Sequence, residues 1–142
     1  MQESTSFALH KLVFALDRAA DVLLRAEFNI SHSRALVLVI LHDQPGITQH
    51  QLAQALGHTD PAVSAILSEL AKDGYVISKV SEVHKRKKSV ALTQEGKELA
   101  RQTHTYLSQK FDALLEASGV DGRSYDRMTK QLYNTVTNTK DT

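Results

Sequence analysis

The sequence predicts a mainly α-helical protein that carries one small β-hairpin. Three observations predict this fold class: apolar residues recur at three- and four-residue spacing near both ends of the chain, capping residues mark short helices in the middle, and two β-type stretches flank a basic segment. Of 142 residues, 42% are hydrophobic and 23% are charged, which is the balance of a globular protein. Disordered and collagen-like chains are therefore excluded.

Two helices are predicted at the N-terminal side. Apolar residues between positions 7 and 28 follow one helical face, and residues 29–31 break this helix. Ser31 is suited to cap a second helix over residues 35–41. The β-branched residues of that run leave a strand open on periodicity alone, and we predict a buried helix.

Capping signals predict two short helices in the middle of the chain. Thr48 and Gln51 fit a capping box at the start of one helix, and Gly57 can end it in a left-handed conformation. Thr59, Asp60 and Pro61 open the next helix, which closes near Gly74.

A hairpin and two further helices complete the predicted order. Residues 75–77 and 90–92 have the composition of strands, and the basic segment lies between them. Thr93 then caps a long amphipathic helix, and a break at 119–122 precedes the last one. Two short helices followed by a basic hairpin form a winged helix-turn-helix. We assign this DNA-binding lobe to residues 31–93, between helical dimerisation segments 5–28 and 94–138 of one continuous domain.

The long terminal helices predict a homodimer. A helix of about 22 residues spans about 33 Å, longer than the compact middle covers, so its apolar stripe needs another partner. We predict a two-fold homodimer through residues 5–28 and 94–138, because two-fold symmetry is the commonest closed form. The alternative is an intramolecular bundle.

Positive charge is concentrated at the predicted hairpin. Residues 79–88 contain five basic residues and one acidic residue, a local charge of +4, whereas the rest of the chain carries −3. Such a block on a mildly acidic body favours an anionic partner, usually nucleic acid. A solvated loop is the alternative.

In a winged helix-turn-helix, the second helix enters the major groove of double-stranded DNA. Its candidate contacts are Thr59, Asp60, Ala62, Ser64, Ala65 and Ser68. The hairpin adds Lys79, Lys85, Arg86, Lys87 and Lys88, and Gln49 and His50 can bind phosphate in the preceding helix. Arg86 suits the minor groove. The second helix carries no Arg, Asn or Gln for bidentate base contact, so DNA shape should carry much of the specificity.

The middle of the chain contains a set of short motifs, which are Leu52-Ala53, Leu56, Val63-Ser64, the run LAKDGYV at 70–76, Lys85-Arg86 and the run VALTQEG at 90–96. In these motifs the chain resembles the MarR family of bacterial transcription regulators. The resemblance implies a homodimer that binds a palindromic operator, usually as a repressor, and often leaves it when a small phenolic or anionic ligand binds. It also places Arg86 as the wing arginine in the minor groove.

Three positions depart from the family pattern. His84 stands where the family usually has an aspartate, and Ala65 and Lys79 stand where arginine is common. These departures motivate an alternative function, a winged-helix protein-interaction module with only non-specific DNA binding. A further alternative makes His84 a pH switch that strengthens DNA binding when protonated.

The sequence gives weaker support for a ligand-binding, metal or catalytic site. Arg25, His32 and Arg34 lie near the junction of the first two helices, where they can hold a carboxylate ligand or serve as ordinary surface residues. The seven histidines form no HxxxH or HExxH pair, so we predict no metal site, with His42 beside Asp43 the most suggestive position. No catalytic motif is present, so we predict neither an enzyme nor a cofactor.

The sequence also predicts a cytoplasmic location. There is no cysteine, which excludes disulfides and thiolate chemistry. The N-terminal residues do not form a secretory signal, and the longest apolar run, 35–41, is too short to cross a bilayer.

Overall fold

The computed structural model of the protein describes residues 1–80 and 88–138. Within these residues the chain forms six helices and two strands. In order they are α1 (Thr5–Phe28), α2 (His32–Asp43), α3 (Gln49–Leu56), α4 (Asp60–Lys72), β1 (Val76–Val80), β2 (Lys88–Leu92), α5 (Gln94–Ala117) and α6 (Gly122–Asn138). This order confirms the predicted mainly α fold with one hairpin. The chain forms two compact units, Met1–His104 and Thr105–Thr142.

Serine side chains cap the first two helices. The Ser4 hydroxyl accepts the N–H of Phe7 at 3.1 Å, and the Ser31 hydroxyl accepts the N–H of Arg34 at 3.2 Å. α1 ends at Asn29, which has a left-handed conformation with φ 53°. The β-branched run at 35–41 is helical and buries four residues in the core, which confirms the predicted helix there.

The helix-turn-helix has the predicted caps. The Thr48 hydroxyl accepts the N–H of Gln51 at 3.1 Å, and the Gln51 side chain accepts the N–H of Thr48 at 3.0 Å. Gly57 then ends α3 at φ 66°, in the region that side chains disfavour. The Thr59 hydroxyl caps α4, whose buried face consists of Val63, Leu67 and Leu70.

The two strands form an antiparallel hairpin. Pairing runs from Val76 opposite Leu92 to Val80 opposite Lys88, so both strands are longer than the predicted 75–77 and 90–92. The polar residues between those ends continue the ladder because backbone pairing does not require apolar side chains. One bridge joins Ser89 to Thr48, at the start of α3.

The core of the first unit draws on α1 to α4, on both strands and on the N-terminal part of α5. Its fully buried large apolar side chains are Leu24, Val37, Leu38, Leu52, Val63 and Leu70. Val76 and Val90 add the inner face of the hairpin, and Ala100 contributes from α5. The hairpin and the two short helices are therefore held by one apolar cluster.

The second unit is a helical hairpin made from the C-terminal part of α5 and from α6. The carboxylate of Asp121 caps α6 by accepting the Ser124 hydroxyl at 2.7 Å and the Ser124 N–H at 3.0 Å. These two bonds hold the pKa of Asp121 below its usual value. The rings of Phe111 and Tyr125 pack with centroids 5.2 Å apart across the turn.

Residues 1–80 and 88–138 include no helix that combines the length and the apolar character of a membrane span.

Candidate nucleic-acid interface

α4 separates its apolar and polar residues between two faces. Val63, Leu67 and Leu70 pack inside, and the six candidate contacts on or before the helix are all exposed: Thr59, Asp60, Ala62, Ser64, Ala65 and Ser68. The exposed face therefore offers two serine hydroxyls and two methyl groups, which are small enough to approach base edges.

One of these candidates, Asp60, has a partner on the preceding helix. The Nδ1 atom of His50 lies 3.2 Å from each carboxylate oxygen of Asp60. His50 is the second residue of α3 and Asp60 the first of α4, so the pair joins both helices of the helix-turn-helix. The sequence alone does not reveal this pair, because the residues lie ten apart on different helices and no periodic signal relates them.

The structure describes only part of the predicted basic surface. Lys79 is exposed on β1, and Lys88 begins β2. Gln49 is partly buried at the first position of α3. The wing residues Lys85, Arg86 and Lys87, together with His84, lie outside the described residues, so their roles stay predictions.

Two of the three candidate ligand-binding residues, Arg25 and His32, meet the same carboxylate, that of Asp21. Asp21 accepts the backbone N–H of His32 at 2.9 Å and the Nε–H of Arg25 at 2.8 Å. The hydrogen bond from the His32 backbone, followed by that from Arg25, holds the pKa of Asp21 below its usual value. The Nδ1 of His32 also lies 4.0 Å from Asp17. Asp21 thus links α1 to the first turn of α2.

Arg34 lies beside a cavity. A guanidinium nitrogen of Arg34 is 3.6 Å from a carboxylate oxygen of Glu69 on α4. The cavity has a volume of about 290 Å³. Its described lining consists of Phe28, Asn29, Ile30, Arg34, Leu70, Asp73, Tyr75 and Leu99. Arg25 and His32 are not part of this described lining, so the three candidates do not all line this cavity.

His42 and Asp43 lie at a second cavity of about 260 Å³, together with His104 and Arg101. Arg101 is bound to Glu98, and this hydrogen bond lowers the pKa of Glu98 and raises that of Arg101. Over the described ranges, no group of three or more His, Asp or Glu side chains is arranged to hold a metal ion.

Two short helices with a shared core, an exposed second helix and an attached hairpin define a winged helix-turn-helix protein. Comparison with known proteins agrees with this class. A model described as the MarR family matches residues 28–87. The curated regulator PetP of Rhodobacter capsulatus, an HTH-type transcriptional regulator, is 28% identical over 117 residues, covering 82% of this chain and 68% of PetP.

Two solved structures share the fold. The MepR–DNA complex of Staphylococcus aureus aligns with a TM-score of 0.77 at 23% identity, covering 96% of this chain and 99% of MepR. Wild-type MarR from E. coli without ligand aligns with a TM-score of 0.80 at 20% identity, covering 95% and 98%. Over residues 28–87 the chain is similar to the MarR family of transcription regulators.

Proposed function

We propose that the protein is a homodimeric repressor that binds a palindromic DNA operator and leaves it when a small anionic or phenolic ligand binds. The observation that carries this proposal is the exposed face of α4, where every residue predicted to contact DNA is accessible. MepR, which has the same fold, has been crystallised with DNA. That likeness supports placing α4 in the major groove.

The DNA interface combines a recognition helix with a cationic wing. Ser64 and Ser68 can donate to base edges or phosphates, and Ala62 and Ala65 can contact thymine methyl groups. Arg86 and the neighbouring lysines supply the charge that binds phosphates and the minor groove. In a two-fold dimer, the two α4 helices would read half-sites about 34–36 Å apart.

Exposed apolar side chains support the dimer. Leu24 is the single buried residue among the 24 of α1, and no residue of α6 is buried. The exposed large apolar side chains are Phe7, Leu9, Leu12, Val13, Phe14 and Val22 on α1, and Met128, Leu132, Tyr133 and Val136 on α6. This much apolar surface marks an interaction site, and a second copy of the chain carries the complementary surface.

The cavity at Arg34 supports ligand control. Its arginine can bind an anion, and Phe28, Leu70 and Leu99 offer apolar contact to a ring. Because Arg34 lies near Glu69 on α4, an anion bound there would compete with that carboxylate. Ligand binding would thereby change a contact of the recognition helix.

The first test is selection of bound duplexes from a random DNA library, followed by fluorescence anisotropy of the winning duplex and a scrambled one. A palindrome bound at least about a thousandfold more tightly than the scramble supports the proposal. Equal and salt-sensitive binding to both duplexes would contradict it, and would favour the interaction module.

The wing is tested by substitution. Arg86→Ala should weaken binding and reduce the salt slope by about one, because one phosphate contact is lost. Lys130→Ala is the matched control, since Lys130 pairs with Asp126 on α6, outside the winged lobe. Unchanged affinity and salt slope in Arg86→Ala would remove the wing from the interface.

The dimer is tested by sedimentation. The wild-type protein should have twice the 15.7 kDa mass of one chain. Leu132→Glu should dissociate it, whereas Gln54→Glu, on the exposed side of α3, should not. A monomeric wild-type protein would refute the homodimer.

A further inference from the structure

We propose that His50 is a DNA-contacting residue that acts in its protonated form, and that Asp60 is the residue that positions it. The proposal rests on the DNA-binding function proposed above and adds to it a proton taken up on binding. An ion pair between His50 and Asp60 joins α3 to α4 on their exposed side.

The geometry fixes the orientation of the imidazole ring. Both oxygens of Asp60 lie 3.2 Å from Nδ1 of His50, and a carboxylate at neutral pH only accepts hydrogen bonds. The proton must therefore be on Nδ1. No hydrogen bond to Nε2 comes from the described residues, and the side chains of His50 and Asp60 are 68% and 58% exposed. Nε2 is thus accessible to a ligand.

The two protonation states of His50 differ in what they offer DNA. When the ring is neutral with its proton on Nδ1, Nε2 has a lone pair and repels a phosphate oxygen, and the pair with Asp60 carries a charge of −1. When the ring is protonated, Nε2–H donates to phosphate and the pair is neutral. Because DNA is a polyanion, binding favours the protonated ring.

The surroundings of His50 leave Asp60 as its charged partner. α3 packs against α2, α4 and β2. On α4, Asp60 faces the ring. The ionisable residues of α2 are His32, Arg34, His42 and Asp43, of which His32 lies against Asp17 and Arg34 against Glu69. The sequence of β2 contains one charged residue, Lys88. Among the described side chains, the ion-pair contact of His50 is the one with Asp60.

The expected effect is a pH-dependent affinity. An imidazole changes its charge between about pH 5 and pH 8. The wild-type dimer should bind its selected duplex about two- to fivefold more tightly at pH 6 than at pH 8 at constant ionic strength, which is the scale of one solvent-exposed ion pair. The salt slope should be steeper at pH 6, by less than about one, because an additional cation then faces phosphate.

The test compares four variants by anisotropy at both pH values. His50→Gln should bind at pH 6 no more tightly than at pH 8. Asp60→Asn should bind more tightly than wild type at pH 8, since it removes a negative charge, and should have a smaller pH effect. The matched controls are His58→Gln, in the exposed turn between α3 and α4, and His84→Gln, which tests the wing histidine. Both should keep the wild-type pH effect, and all four should keep the wild-type Tm.

A second measurement counts the proton directly. Calorimetric titration with DNA in two buffers of different ionisation enthalpy gives the number of protons taken up. This number should fall in His50→Gln and stay the same in His58→Gln. If His50 had only a structural role, His50→Gln would take up as many protons on DNA binding as the wild type.

Three results would overturn the inference. The first is a pH profile of His50→Gln equal to that of wild type, with specific binding intact, which leaves the proposed function standing. The second is loss of sequence preference in Asp60→Asn but not in His50→Gln, which would make Asp60 a base-contacting carboxylate. The third is no specific DNA binding by the wild-type protein at either pH, which refutes the proposed function as well.

Discussion

Gly96 lies against the carbonyl group of Tyr75 so closely that a Cβ atom at position 96 would be 2.1 Å from the carbonyl oxygen. The same oxygen accepts the N–H of Thr93 at 3.0 Å, and the Thr93 hydroxyl donates to the carbonyl of Gly74 at 2.7 Å. The first turn of α5 is therefore fixed against the chain that leads into β1. Only glycine fits at this contact.

Replacing Gly96 should destabilise the fold strongly. In Gly96→Ala the new methyl group meets backbone rather than a flexible side chain, so either α5 or the start of β1 must move. We expect a loss of at least about 2 kcal/mol in the free energy of unfolding, toward the upper range for overpacked sites. Gly122→Ala is the matched control, since its Cβ would have 3.9 Å to the nearest atom. Urea unfolding at equal protein concentration measures the stability of both variants. Equal unfolding midpoints for Gly96→Ala and Gly122→Ala would contradict the close contact of Gly96 with the Tyr75 carbonyl.

The capping box of α3 should contribute measurably to stability. Thr48→Ala removes the hydroxyl that accepts the N–H of Gln51, and loss of such a cap costs about 1 kcal/mol. Thr137→Ala is the control, because the Thr137 hydroxyl bonds only to carbonyls of its own helix and the change should stay within about 0.5 kcal/mol. Thermal unfolding compares the two, and the prediction fails if both variants melt like wild type.

The stabilising effect of Asp21 should depend on pH. Its pKa is lowered in the folded state, first by the His32 backbone N–H and then by Arg25, so the unfolded chain binds the proton more tightly. The Asp21 charge contributes fully to stability when the pH is above the pKa of the carboxyl in the unfolded chain, about 3.9. This contribution is lost as the pH falls below that value. Asp21→Asn should therefore be less stable than wild type at pH 7 and pH 5, with a smaller difference at pH 3.

The control for this pH effect is Asp126→Asn, which removes an exposed pair with Lys130 but no contact between helices. Its urea midpoint should differ little from wild type at any of these pH values. A difference between wild type and Asp21→Asn that is constant from pH 7 to pH 3 would show that the charge of Asp21 contributes nothing.

A negative charge on the exposed face of α4 should block DNA binding without unfolding the protein. Ala65→Glu places a carboxylate among the proposed contacts, and like charges brought together at an interface cost several kcal/mol, so binding should weaken by at least about tenfold. Ala71→Glu, also exposed but in the last turn of α4, should weaken it far less. Anisotropy gives the affinities, and equal loss in both variants would move the interface away from Ala65.

Local signals explain how much of the fold the sequence predicts. The caps at Ser31, Thr48 and Thr59 act within three residues, so they can be recognised without knowledge of the tertiary structure. The strand ends at Val80 and Lys88 were not predicted, because they depend on pairing across the hairpin.

Contacts between elements explain what the sequence does not predict. The pairs of Asp21 with His32, Arg34 with Glu69 and His50 with Asp60 link residues 10 to 35 positions apart. Their side chains are ordinary surface types, and no spacing rule relates them. Arg25 and His32 could be placed at the junction of two helices, but only the structure shows that an internal carboxylate meets both.

The bridge between Thr48 and Ser89 ties the hairpin to the helix-turn-helix. A two-stranded hairpin alone is marginally stable in water, so β1 and β2 depend on this third backbone segment and on the core beneath Val76 and Val90. The amides of β2 should consequently exchange with deuterium at the rate of those in α3, as one cooperative unit. Any event that loosens the start of α3 would then also loosen the base of the wing, and both parts of the DNA-binding surface would be lost together.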